Sequence, residues 1–74
     1  MTVADLKIGE KALIVDCKET QIPLKLMEMG CLPNQELRIV QLARFSDPIY
    51  LEVNGSFIAI RKETAEHIKV QKND

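Results

Sequence analysis

The stretch IYLEVNGSFIAI, residues 49–60, decides how this chain is read. Its first half alternates, with Ile49, Leu51 and Val53 set against Tyr50, Glu52 and Asn54. A period of two is the pattern of a half-buried strand. At Asn54-Gly55 the alternation meets the strongest short hairpin signal, because both residues tolerate the positive φ of a type I′ turn. Residues 48–54 (PIYLEVN) and 56–61 (SFIAIR) are therefore predicted as two strands of a hairpin. Outward from it, residues 36–42 (ELRIVQL) and 11–16 (KALIVD) also read as strands, the latter with Ala12 and Ile14 on one face and Leu13 and Val15 on the other. On the C-terminal side, KETAE is about one helical turn, and residues 67–70 (HIKV) form a last strand with Ile68 and Val70 inward.

Five short strands in 74 residues are too many for one flat open sheet with a proper core. A small barrel solves this, since closure removes exposed edges. The predicted fold is mostly β: an SH3-like β-barrel of about five strands in a single domain spanning residues 1–74. One short α-helix is inserted after the first strand, and a single helical turn precedes the last.

That helix is predicted over residues 21–29, where Lys, Leu, Met and Glu favour helix over strand. Pro23 is acceptable in a first turn, Thr20 is a candidate cap, and Gly30 suits the left-handed position after a helix end. Met27, Met29 and Cys31 stand at alternate positions, and soft sulfur ligands select metals such as Cu(I). On a helix, however, Met27 and Met29 lie about 160° apart, so one ion cannot take both. The same geometry groups Ile22, Leu26 and Met29 in a core stripe and puts Leu24 and Met27 on the opposite face. A barrel covers one such face directly, so the second is covered by a loop, merely shows two apolar residues at the surface, or serves a partner or a second copy of the chain.

The composition is that of a soluble globular domain: 46% hydrophobic, 28% charged, with a net charge of −1. No basic run marks a nucleic-acid footprint. No apolar stretch approaches the roughly 20 residues of a membrane span, and MTVADLKIGEK is not a signal peptide, so a cytoplasmic location is expected without membrane insertion. Cys17 and Cys31 have no zinc spacing and are expected as free thiols in a reducing compartment. His67, the one histidine, reads as a solvated surface residue rather than a ligand. No catalytic Cys–His pair, carboxylate pair or phosphate-binding glycine loop is present, so no enzyme activity, catalytic residue, metal-ligand set or cofactor site is predicted.

The runs LMEMGCLPNQELRIV and SDPIYLEVNGSFIAIRKETAEHIKV resemble the ferrous iron transport protein A family (FeoA) over nearly the whole chain. Leu26, Met29 and Gly30 at the helix end, Leu32-Pro33, Asp47-Pro48, Arg61 and the run from Ala65 to Val70 carry the resemblance through their order and spacing. The family usually has Gly where this chain has Asn34 and Ser46. Asn34 tolerates a left-handed φ, whereas Ser46 would be strained in one. The resemblance implies a small cytoplasmic accessory protein that acts with FeoB, the membrane GTPase that takes up Fe(II). The docking surface expected from the two-faced helix is Leu24, Met27 and Pro33, with Asp47 and Tyr50 beside them. The alternative is a divalent-metal-sensing module, since the family's barrel is similar to the C-terminal domain of iron-dependent repressors; weak binding of Fe(II) or another divalent cation would follow. A generic SH3-type peptide binder ranks last, because such grooves are lined with aromatics and this chain has only Phe45, Tyr50 and Phe57.

Overall fold

The structure, a computed structural model, describes residues 1–17 and 22–72. Five strands form one antiparallel sheet: β1 (Lys11–Cys17), β2 (Glu36–Leu42), β3 (Ile49–Val53), β4 (Ser56–Ile60) and β5 (Ile68–Lys72). Their spatial order is β4-β3-β2-β1-β5. Two short helices punctuate it: α1 (Leu24–Glu28) between β1 and β2, and α2 (Lys62–Ala65) before β5. The predicted strands and helical turn are all present; β2 has the predicted bounds and the ends of the others match or differ by at most two residues.

The 49–60 hairpin forms as expected. Asn54 and Gly55 have φ of 52° and 78°, the left-handed pair a type I′ turn requires. Ile49, Leu51 and Val53 point into the core, as do Ala12 and Ile14 of β1 and Ile68 and Val70 of β5. With Leu37 and Ile39 of β2 they make an aliphatic core without a buried polar side chain among the described residues. Register shifts between Ile39 and Gln41 and between Ile14 and Asp16 bend the sheet, as bulges do, so it curls around this core. The molecule measures 27 × 25 × 23 Å.

Curling does not pair β4 with β5, and the two ends of the sheet are treated differently. Residues 1–2 cover β5: Thr2 bridges Lys69, and the Val70 N–H donates to the Met1 carbonyl at 3.0 Å. No such segment lies along β4 among the described residues.

The helix after β1 is shorter than predicted, and this changes which of its faces is buried. The predicted start at residue 21 and the candidate cap Thr20 lie outside the described residues. Ile22 is non-helical and Pro23, with φ −55° and ψ 136°, is the N-cap. A proline pushes the residue before it out of the α region, so Ile22 cannot open the helix. The C-terminus is a Schellman motif. The Cys31 N–H donates to the Leu26 carbonyl at 3.0 Å and the Gly30 N–H to the Met27 carbonyl at 3.1 Å, with Gly30 at φ 110°. In the remaining five residues the core-facing pair is Leu26 and Met27. Met27 is only 8% exposed, so it does not share an open face with Leu24. Met29 is the C-cap and half-buried rather than a member of a core stripe.

The loop between β2 and β3 places its left-handed residue at Phe45, with φ 63° and ψ 23°. The strain considered for Ser46 therefore falls one residue earlier. Asn34 does adopt the left-handed φ expected of it, at 74°.

Candidate functional site

The order of the strands leaves a groove between α1 and β4. Pro23, Lys25, Leu26 and Met29 form one wall, and residues 57–60 with Arg61 and Thr64 form the other. Its volume of about 490 Å³ falls within the roughly 300–1,000 Å³ of ligand clefts. Successive side chains of a strand point to opposite faces. A cleft that touches four consecutive residues of β4 must therefore run along the strand's edge, where the backbone is.

Leu26, Met29, Ile58 and Ile60 make the groove apolar, and its charged members are the cations Lys25 and Arg61. Arg61 is held by Asp47: its Nε donates to Oδ1 at 3.2 Å and its Nη2 to Oδ2 at 3.3 Å. The Lys62 N–H, at the start of α2, donates to the same Oδ1 at 3.1 Å. That backbone bond, followed by the Arg61 guanidinium, holds the Asp47 carboxyl below its ordinary pKa. A second, smaller cleft of about 250 Å³ lies around Lys11, Glu36, Arg38 and Glu52. There the Arg38–Glu52 ion pair, at 2.9 Å, already satisfies two of the charges.

The residues expected to form a docking surface come from α1, the turn before β2, the loop before β3 and β3 itself, and all but Met27 are at least partly exposed. Leu24 is 68% exposed at the start of α1, and Pro33 is exposed in the turn before β2. Tyr50 is exposed on the outer face of β3, opposite Ala59. Asp47 is half-buried in its contacts with Arg61 and Lys62. Met27 is withdrawn into the core, because the short helix turns that side inward. Sequence reasoning did not single out Lys25, Phe57 or Ala59 as functional. Their signal is the uncharged, proline-free run SFIAI, which becomes informative only once β4 is known to be an edge strand.

The two cysteines are free thiols. The Cys17 thiol donates to the Cys31 carbonyl at 3.2 Å. Cys31 is fully buried, and burial, with a smaller contribution from Cys17, pushes its thiol up to about 11. Met27 and Met29 are separated into core and groove wall. Among the described residues no three His, Cys, Asp or Glu side chains converge on a point that suits a metal ion. No helix among them is long and apolar enough to cross a membrane.

The family model described as "FeoA domain" matches residues 1–72. A curated relative, the Fe(2+) transport protein A/Fe(2+) transporter FeoB fusion protein of Porphyromonas gingivalis, is 29% identical over 72 residues. That match covers 96% of this chain and 8% of the fusion protein, so the chain spans a small part of its length. The solution structure of the FeoA protein from Chlorobium tepidum superimposes with a TM-score of 0.88 at 29% identity, covering 97% of this chain and 70% of that one. Stenotrophomonas maltophilia FeoA, described as an SH3 domain protein, shares the fold at a TM-score of 0.76 and 24% identity, covering 96% of this chain and 89% of that one. The IdeR of T. acidophilum does so at 0.83 and 21%, with 99% of this chain on 34% of that one. At those identities the last two are likenesses of fold alone.

Proposed function

The chain belongs to the FeoA domain family, and from that premise we propose that it is a non-catalytic accessory protein of ferrous iron uptake, docking on the cytoplasmic side of a FeoB-type transporter. The observation that carries this reading is the P. gingivalis relative, in which a matching segment and the FeoB transporter share one polypeptide. Two modules joined in one chain in one organism gain a high effective concentration for each other. A separate chain of the same family then needs a surface that achieves contact without the tether.

Exposed apolar side chains on the β3–β4 side of the sheet and at the start of α1 support such a surface. Leu24, Tyr50 and Pro33 are its proposed contacts, with Asp47 orienting Arg61 beside them. Met27 is left out because it is buried.

The test is binding of the purified chain to the full-length, detergent-solubilised FeoB-type transporter of the same organism, read by biolayer interferometry. Saturable binding is expected. Absence of binding at concentrations well above those in the cell would remove the accessory reading.

A further inference from the structure

We propose that the groove between α1 and β4 receives an extended segment of a partner protein, which adds to the sheet as a strand beside β4. The segment carries apolar side chains at alternate positions and at least one carboxylate. The accessory reading supplies only the larger protein to which the segment belongs; the chemistry of the groove stands without it.

The backbone of β4 is already set up for this. A two-residue turn closes on a hydrogen-bonded pair, here Val53 and Ser56. Bonded and non-bonded pairs alternate along an antiparallel ladder. Phe57 and Ala59, opposite Glu52 and Tyr50, are therefore non-bonded positions whose N–H and C=O groups point away from β3. Among the described residues no backbone group outside the sheet bonds to either of them.

An open edge is a hazard that proteins blunt with charges, prolines, bulges or a covering segment. The β5 edge is covered by residues 1–2. The β4 edge has no cover among the described residues, and its five residues SFIAI include no charge and no proline. Phe57 is 67% exposed there. An edge left unblunted beside an apolar cleft has the form of a strand-addition site.

Charge selects the occupant. Lys25 and Arg61 line the groove and, among the described residues, no carboxylate does. Arg61 is shared with Asp47, whereas Lys25 makes no ion pair among the described residues. A second copy docking edge to edge would offer its own run SFIAI, which carries no carboxylate to meet Lys25. A segment bearing Asp or Glu would meet the two cations with opposite charge.

The test uses the whole chain and a probe that assumes no partner sequence. A random ten-residue peptide library is panned on the immobilised protein, and recovered peptides are titrated into isotope-labelled protein. Recovered sequences are expected to alternate apolar residues with Asp or Glu. They should protect the Phe57 and Ala59 amides from hydrogen exchange. Lys25→Glu, on an exposed helical position, should weaken them by about tenfold or more. Ala59→Pro removes an outward N–H without touching the β3 ladder and should abolish binding. Thermal unfolding checks that it folds; if it does not, Lys25→Glu decides.

Recovery of no peptide, or of peptides that leave Phe57 and Ala59 unprotected, would overturn the groove. So would a β4-paired dimer in sedimentation equilibrium. Transporter binding that is unchanged by Lys25→Glu overturns the groove and spares the accessory reading. Peptides bound at the groove beside a transporter that does not bind have the opposite meaning.

Discussion

Gly30 and Asn54 meet so closely that a Cβ on Gly30 would lie 2.6 Å from the Cβ of Asn54. The first residue ends α1 and the second opens the β3–β4 turn, so this contact sets α1 against the hairpin whose edge forms the opposite groove wall. Both residues are left-handed, with φ of 110° and 52°, so neither can move aside without losing its turn. Gly30→Ala is expected to cost about 2–3 kcal/mol through strain and overlap together. In a domain of this size that lowers the melting temperature by roughly 10 °C or more. A melting temperature unchanged in Gly30→Ala would mean that the two turns separate easily and that the groove has no fixed width.

Met27 and Leu24 make a contrasting pair on the same five-residue helix. Met27 is 8% exposed and Leu24 is 68% exposed. Met27→Glu is expected to destabilise the fold by about 3 kcal/mol or more, since it buries an unpaired carboxylate. Leu24→Glu should stay within about 0.5 kcal/mol of the parent. Urea midpoints measure both. If Met27→Glu were as stable as the parent, Met27 would be a surface residue after all and would return to the docking surface.

These two residues also show where sequence reading succeeds and where it stops. The strands are legible because alternation is local: Ile49, Leu51 and Val53 announce a buried face without knowing what covers it. Asn54-Gly55 announces its own turn for the same reason. Met27 is misplaced when the 3.6-residue period is extended through Ile22 and Met29, two residues that the proline at 23 and the glycine at 30 exclude from the helix. The groove is illegible for a different reason. The run SFIAI looks the same in a central strand and in an edge strand. Only the pairing of β1 with both β2 and β5 leaves β4 at the end of the sheet, and that is a non-local fact.

Cys31 should resist modification for as long as the protein is folded. Its side chain is fully buried and its thiol is raised to about 11. The thiolate is the reactive form, and at pH 7.4 such a group is ionised in only about one molecule in several thousand. Iodoacetamide at neutral pH is expected to leave Cys31 unlabelled in the native protein and to label it on addition of urea past the unfolding midpoint. Peptide mapping by mass spectrometry reads both states. Native labelling of Cys31 at the rate of a free thiol would show that the turn between α1 and β2 opens readily.

Asp47 links the β2–β3 loop to the start of α2, and its contribution to stability should depend on pH. The Lys62 N–H and the Arg61 guanidinium favour its charged form and hold its pKa below the ordinary value. A carboxyl lowered on folding stabilises the protein above its unfolded pKa, and that stabilisation is lost as pH falls through the folded value. Glu10, lowered by its bonds to Lys72 and the Lys7 N–H, adds a contribution of the same sign, so the parent's acid sensitivity alone does not isolate Asp47. The difference between the parent and Asp47→Asn does. At pH 7 the parent should have the higher urea midpoint. The gap should narrow as pH falls below about 4 and close once Asp47 is protonated in the folded state. Added salt should shrink it at neutral pH, because the Arg61 partner is largely exposed. A gap that persists undiminished in acid would mean that Asp47 acts through the shape of its hydrogen bonds rather than through its charge, and that Arg61 is not held at the groove by an ion pair.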